Sequence, residues 1–169
     1  MVKLMRAWAA CVTVWLLLGA SPVQALEQPK GKVILTISGK IADKNHGADA
    51  QFDIAMLEKL PQQKFTTMTP WDKQPVQYEG PLLRDVLAAA KAKGSTLLAV
   101  ALNDYKTSIP VDDALRFDVI LAHKMNGESI PVKTKGPLFI VYPFDSRPEL
   151  RAPTYYERSA WQLKSLAID

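Results

Sequence analysis

The side chains best suited to chemistry lie in the stretch KFTTMTPWDKQP, residues 64–75. Hydroxyls at Thr67 and Thr69 flank the thioether of Met68, and the large aromatic side chain of Trp71 follows Pro70. This group is suited to line a ligand cleft, because an indole offers an apolar face for packing and an N–H for hydrogen bonding. A turn whose tryptophan covers the edge of the core would use the same residues. The sequence leaves both interpretations open.

A second polar group, Asn103, Asp104 and Tyr105, directly follows the apolar run LLAVAL. Functional side chains are common where a rigid strand enters a loop, so these three residues are further ligand-binding candidates. The alternative is a turn in which Asn103 and Asp104 bond local backbone amides. Near the C-terminus, an aromatic platform or an edge of the core could be formed by Tyr155, Tyr156 and Trp161.

The sequence gives little support to nucleophilic or metal chemistry. The single cysteine, Cys11, lies in the apolar N-terminal stretch, and His46 and His123 are far apart without ligand-like spacing. If that N-terminal stretch is removed from the chain, no thiolate remains. Neither histidine stands in a sequence context that is typical of a paired base. We therefore predict no catalytic residue and no metal site.

The first 25 residues are expected to be a signal peptide. Lys3 and Arg6 precede the apolar run AWAACVTVWLLLG, and Val23 and Ala25 mark a cleavage site after Ala25. The apolar run is shorter than the roughly 18 residues that a membrane-spanning helix needs. We predict an exported protein that is free in the periplasm of a Gram-negative host and is not inserted in the membrane after cleavage.

Residues 26–169 are expected to form a single domain, since a chain of about 144 residues can bury a sizeable core. Cleavage would remove Lys3 and Arg6 from the 21 basic residues, which leaves 19 against 17 acidic residues. The resulting net charge of about +2 gives no electrostatic support to nucleic-acid binding.

Short strands and helices must position the candidate ligand-binding residues. Alternation of apolar and polar residues predicts a strand from Val33 to about Gly39, and Asp53 is expected to cap a short helix. Two strand segments flank the turn PWDKQP. The run GPLLRDVLAAAKAKG predicts the best-formed helix, with Pro81 at its first position and Gly94 as its terminator.

The second half of the chain is also dominated by strand patterns. TLLAVAL and GPLFIVYP are typical of buried strands, and DVILAHKMNGESIPVK predicts a hairpin that turns at Asn126–Gly127. Many short strands with few short helices indicate an α+β domain with a mixed, mainly antiparallel sheet or a barrel-like sandwich. A doubly wound sheet is not expected, since no glycine-rich phosphate loop follows a strand.

The order of four segments resembles a known family. YEGPLLRDVL, ALNDYKTSIP, FDVILAHKMNGESIPVKTKGPLFIVYP and AWQLKSLAI follow one another in this chain. This order is similar to that of the sulfite-oxidase-type superfamily of molybdopterin-binding oxidoreductase domains, especially a short, exported, stand-alone bacterial branch. The resemblance extends from about Val33 to the end and implies the α+β sulfite-oxidase fold.

The sequence departs from the family at both places where the resemblance implies cofactor contacts. In catalytic relatives a cysteine thiolate ligates molybdenum in the region that here reads FTTMTPW. Threonine hydroxyls and the thioether of Met68 are weaker ligands than a thiolate. Relatives typically read Gly-x-Pro-x-Arg where this chain reads KGPLFIVYP, so Phe139 stands where an arginine would hold the pterin phosphate.

These departures favour a protein without redox activity and without a bound cofactor. We expect a sensory or accessory module that binds a small ligand or the periplasmic domain of a membrane sensor or redox protein. The alternative is a molybdopterin-binding oxidoreductase, or an accessory subunit of a redox complex, that holds molybdopterin through contacts other than a cysteine.

Overall fold

The computed structural model describes residues 26–169. Its strands are β1 (Leu35–Gly39), β2 (Ala50–Phe52), β3 (Gln62–Thr67), β4 (Val76–Pro81), β5 (Thr96–Ala101), β6 (Lys106–Pro110), β7 (Ile120–Ala122), β8 (Lys124–Met125), β9 (Glu128–Ser129), β10 (Phe139–Val141) and β11 (Leu163–Ile168). Its helices are α1 (Ile54–Glu58), α2 (Leu83–Ala89), α3 (Val111–Arg116) and α4 (Pro153–Arg158), with a 3₁₀ turn at Pro148–Leu150. The expected signal peptide lies outside the described residues. Export and the single-domain assignment therefore stay predictions.

The strands form three sheets. The largest has the order β2-β1-β11-β5-β6, in which β1 and β11 are parallel and the other neighbours are antiparallel. A four-stranded sheet, β3-β4-β8-β9, and the pair β10-β7 are antiparallel throughout. The predicted fold class is confirmed: the fold is α+β, with mixed, mainly antiparallel sheets and a few short helices.

Two clusters of buried side chains fill the interior. The larger one joins the inner faces of β1, β5 and β11 to the apolar sides of α1 and α2. The smaller one, here called the minor core, lies beside β4, β7 and β10. Its members are Tyr78, Leu82, Ile120, Ala122, Ile130, Phe139 and Val141, with Phe65, Val76, Met125 and Trp161 packed partly buried against them.

Asp53 caps α1, as the sequence predicts. One carboxylate oxygen accepts the amide of Met56 at 2.9 Å, and the other accepts the amides of Lys30 and Gly31 at 2.8 and 2.7 Å. The bonds from Gly31 and Met56 hold the pKa of Asp53 below its ordinary value, although burial opposes them. The cap therefore also fastens the segment before β1 to the start of the helix.

One face of α2, with Leu83, Val86 and Leu87, is buried, but both predicted boundaries of the helix are wrong. The helix begins at Leu83 because Pro81 still pairs with β3 as the last residue of β4. It ends at Ala89, and the chain then reverses at Lys91, whose φ of 46° lies in the left-handed region, before reaching Gly94. No helix among residues 26–169 is long and apolar enough to cross a bilayer.

Candidate ligand-binding site

The end of β3 is fastened to the loop that follows β10. Thr67 is buried, and its Oγ1 accepts the amide of Asp145 at 3.1 Å. The amide of Met68 in turn donates to Oδ2 of Asp145 at 2.7 Å. This bond and the guanidinium of Arg151 hold the pKa of Asp145 below its usual range, although burial opposes them. The carboxylate therefore stays charged and restrains the entry to the β3–β4 loop.

A semi-buried polar network supports the loop itself. Oγ1 of Thr69 donates to Oδ2 of Asp72 and accepts the amide of Trp71 at 3.3 Å. The carboxylate of Asp72 also accepts the hydroxyl of Tyr78 at 2.6 Å and the ammonium of Lys135. Burial raises the pKa of Asp72, but the bonds from Lys135, Thr69 and Tyr78 outweigh it and the pKa lies below its ordinary value. Burial, followed by the bond to Asp72, raises the pKa of the Tyr78 hydroxyl.

Trp71 covers the edge of the minor core. Its ring stands edge-on to Trp161 at 5.2 Å between centroids and to Phe139 at 6.0 Å. A third such contact joins it to Tyr156 at 6.2 Å. Trp71 nevertheless remains 38% exposed. The residue therefore packs on the core and also presents free surface to a cleft.

This cleft, here called the aromatic cleft, has a volume of about 390 Å³. It is lined by Trp71, Asn103, Tyr105, Tyr156, Glu157, Ser159, Ala160 and Trp161. These residues come from the β3–β4 loop, the β5–β6 loop, and α4 with the segment that leads to β11. The hydroxyl of Tyr105 donates to the backbone carbonyl of Glu157 at 2.8 Å and joins two of these walls.

The structure brings three of the predicted residues together at the aromatic cleft: Trp71, Asn103 and Tyr105. Oδ1 of Asn103 also accepts the amide of Tyr105 at 3.1 Å, so the local turn expected as the alternative exists as well. The β5–β6 loop thus combines a backbone-stabilising bond with an exposed aromatic ring.

Four of the predicted residues do not line the aromatic cleft. Met68 and Thr69 line another hollow of about 280 Å³, whereas Thr67 is buried. Asp104 has a left-handed φ of 64°, and its carboxylate accepts the ammonium of Lys164 at 2.7 Å. The loop therefore directs Asp104 to an ion pair on the surface.

The sequence patterns do not indicate some other residues of the site. Glu157 and Ser159 lie between Tyr156 and Trp161 in the sequence, and their closeness to these aromatic residues is a local signal for them. No such signal exists for Lys135, because 63 residues separate it from its partner Asp72.

The side chains of residues 26–169 do not form any group of three or more His, Cys, Asp or Glu that could hold a metal ion. The sequence places its one cysteine outside this range. The hydroxyls of Thr67 and Thr69 are engaged by Asp145 and Asp72, as described above, and the thioether of Met68 is exposed.

Comparison with known proteins identifies the family. The family described as oxidoreductase molybdopterin binding domain matches residues 35–144, which is more than half of the chain. This chain belongs to that family. The resemblance found in the sequence is confirmed at the level of the superfamily.

A solved structure has a similar fold. It is the crystal structure of the sulfane dehydrogenase SoxCD from Paracoccus pantotrophus, with a TM-score of 0.60 and 19% sequence identity. The similarity covers 79% of this chain and 37% of that one, so this chain spans well under half of its length. At this identity the likeness shows the shared fold. No curated protein matches the sequence.

Membership of the family favours molybdopterin as a ligand, and the expectation of no cofactor is not confirmed. The residues at the two expected contact positions nevertheless do not fit the thiolate-held form of that cofactor. No cysteine lies within the matched residues. Phe139 is fully buried and packs edge-on against Tyr78 at 5.6 Å, inside the minor core. It therefore offers no charge and no surface to a phosphate.

Proposed function

We propose that this protein is an exported, periplasmic binding module without redox activity of its own, and that it recognises a small ligand in the aromatic cleft. The observation that carries this proposal is the cleft itself, in which four aromatic side chains converge with a few polar groups. Ligand sites are typically concave and mostly apolar, with a small number of polar groups that orient the ligand.

The residues around the cleft support the proposal because they are held in place before a ligand arrives. Trp71 lies between Thr69 and Asp72, which are hydrogen-bonded to each other. Tyr105 is bonded to the backbone of Glu157. Side chains that are already ordered lose less entropy on binding, which raises the affinity for a ligand of matching shape.

A thermal-shift screen of residues 26–169 tests this function. The panel contains small neutral, anionic and cationic compounds, half of them with a flat apolar face. We expect at least one class to raise the melting temperature of the wild type, and Tyr105→Ala and Trp71→Ala to abolish that increase. Leu115→Ala, at an exposed residue outside the cleft, is the matched truncation control. The proposal is wrong if no compound gives a shift that depends on Trp71 or Tyr105.

A second candidate function is a molybdopterin-dependent oxidoreductase or an accessory subunit of a redox complex. The match of the family to residues 35–144 favours it. The test is to purify the protein from molybdenum-replete cells and to measure bound molybdenum and released pterin. Stoichiometric molybdopterin would replace the binding-module proposal with this one, and its absence would eliminate it.

Export and the partner are part of the same proposal. Cleavage after Ala25 would give a mature chain that starts at Leu26 and appears in the periplasmic fraction, which intact-mass measurement and cell fractionation test directly. We propose that the partner is the periplasmic domain of a membrane sensor or redox protein. Crosslinking in cells, with and without the ligand found in the screen, tests whether such a domain is captured.

A further inference from the structure

The charge of the aromatic cleft points to the kind of ligand that it takes. Glu157 is the one charged residue among the described residues that line it. Glu157 is exposed and has no ion pair within residues 26–169. The next residue, Arg158, is directed elsewhere: its guanidinium donates to Asp113 at 2.9 Å and lies 5.5 Å from the ring centre of Tyr155. The lining residues therefore include one carboxylate, and it makes no ion pair within the described part of the chain.

The aromatic rings form a corner and not a stack. The planes of Trp71 and Trp161 meet at 68°, and those of Trp71 and Tyr156 meet at 73°. Tyr105 adds a fourth ring from a different loop. A cation is attracted to the face of an aromatic ring, and several rings at steep angles to one another can surround one cationic group.

We infer that the ligand is a small organic cation with a methylated ammonium group, held between these rings and the carboxylate of Glu157. This inference rests on the proposed function of the aromatic cleft. A methylated ammonium is bulky and weakly hydrated. Its methyl groups need no hydrogen-bond acceptors, whereas the N–H groups of a primary ammonium do. Apolar rings therefore suit a methylated ammonium better than a primary one. Asn103 offers its side-chain NH₂ to a polar tail of the ligand, since its Oδ1 is already bonded to the amide of Tyr105.

Isothermal titration calorimetry with two probes of equal shape separates the contribution of charge to the affinity from the contribution of size. The probes are choline and 3,3-dimethylbutan-1-ol, in which a carbon atom replaces the choline nitrogen, and tetramethylammonium serves as a third probe. We expect choline to bind at least about tenfold more tightly than its neutral isostere, because only the cation gains from the ring faces and the carboxylate. The affinity for choline should also fall as salt is added, since exposed charges are screened.

Substitution of the carboxylate provides the second measurement. Glu157→Gln should weaken choline binding several-fold and leave the affinity for the neutral isostere unchanged. Glu128→Gln, in the exposed β8–β9 hairpin, makes the same chemical change away from the cleft and should leave both affinities at the wild-type value.

The outcomes distinguish this inference from the proposed function. If both isosteres bind equally, or if a neutral or anionic compound gives a Trp71-dependent shift while choline and tetramethylammonium do not bind, the cation inference is overturned and the binding function stands. If no compound of any charge binds in a Trp71- or Tyr105-dependent way, both are overturned.

Discussion

The ammonium of Lys135 donates a hydrogen bond to the carboxylate of Asp72, although 63 residues separate the two in sequence. Their side chains are only 15% and 13% exposed. The pair connects the β3–β4 loop, which carries Trp71, to the segment that leads into β10. One wall of the aromatic cleft is therefore anchored by a semi-buried charge pair.

Lys135→Met should lower the free energy of unfolding by about 1–3 kcal/mol at neutral pH, because Asp72 would lose its charged donor in a semi-buried position. Urea denaturation measures the change. Lys73→Met removes an exposed lysine from the same loop and should cost no more than about 0.5 kcal/mol. Equal costs for the two variants would contradict the anchoring role. The double variant Asp72→Asn, Lys135→Met should be less destabilised than the sum of the two single variants.

Arg158→Met should destabilise the protein much more than Arg116→Met does. Arg158 donates to Asp113, a buried carboxylate that also accepts the hydroxyl of Tyr142 at 2.8 Å. Arg116 pairs with Asp112 at 3.4 Å where both side chains are more than half exposed.

We expect a loss of about 2 kcal/mol for Arg158→Met, since a buried carboxylate would lose a charged hydrogen-bond donor. The loss for Arg116→Met should be within about 0.5 kcal/mol, because exposed ion pairs contribute little. Thermal and urea unfolding of the two variants side by side measure the difference. Similar losses would show that Tyr142 alone is sufficient to stabilise Asp113.

The environment of His123 makes stability depend on pH. The ring is buried, its Nε2 lies 2.9 Å from Oε1 of Gln62, and its Nδ1 has no hydrogen-bond partner within the described part of the chain. Burial, and then the charge of Lys124, lower the pKa of His123, while Glu58 and Glu79 oppose them. Protonation of this histidine is therefore harder in the folded state than in the unfolded state.

Since an unfolded histidine has a pKa of about 6.5, the contribution of His123 to stability is present above that pH and is lost as the pH falls through the lower folded value. Urea denaturation from pH 7.5 down to pH 5 should show a declining free energy of unfolding. His123→Gln should flatten this decline, whereas His46→Gln, at an exposed loop position, should keep it. A wild-type slope in His123→Gln would disprove the assignment.

Asp145→Ala should loosen the loop at Met68. The carboxylate of Asp145 is the acceptor of the Met68 amide, so its removal should speed hydrogen exchange of that amide by about tenfold or more, as expected for the loss of a bond to a charged group. Arg151→Met keeps the acceptor and should leave the exchange rate close to that of the wild type. Unchanged exchange in Asp145→Ala would mean that other contacts hold this loop.

Short-range patterns predicted most of the local structure. The cap at Asp53 and the turn at Asn126–Gly127 are confirmed, because both depend on residues a few positions apart. The ends of α2 could not be predicted in this way. Pro81 is still paired with β3, a strand that begins 19 positions earlier, so long-range strand pairing decides where that helix begins.

The candidate site was predictable only in part. Local chemistry predicts Trp71, Asn103 and Tyr105 as ligand-binding residues, and the structure places them in one cleft. The same local chemistry predicts Asp104, but a left-handed backbone conformation and an ion pair with Lys164 direct it away. Neither the sign of φ at a non-glycine residue nor a partner 60 positions distant is visible in a local pattern.

The order of four segments in the sequence is enough to indicate the family, and the composition shows that residues 26–169 contain no cysteine. The burial of Phe139 and the meeting of aromatic residues from three distant segments in one cleft become visible in the folded chain. Strand pairing is the cause of this meeting. Strand β11 lies between β1 and β5, and this arrangement brings the residues that precede it, including Tyr156 and Trp161, beside the β5–β6 loop.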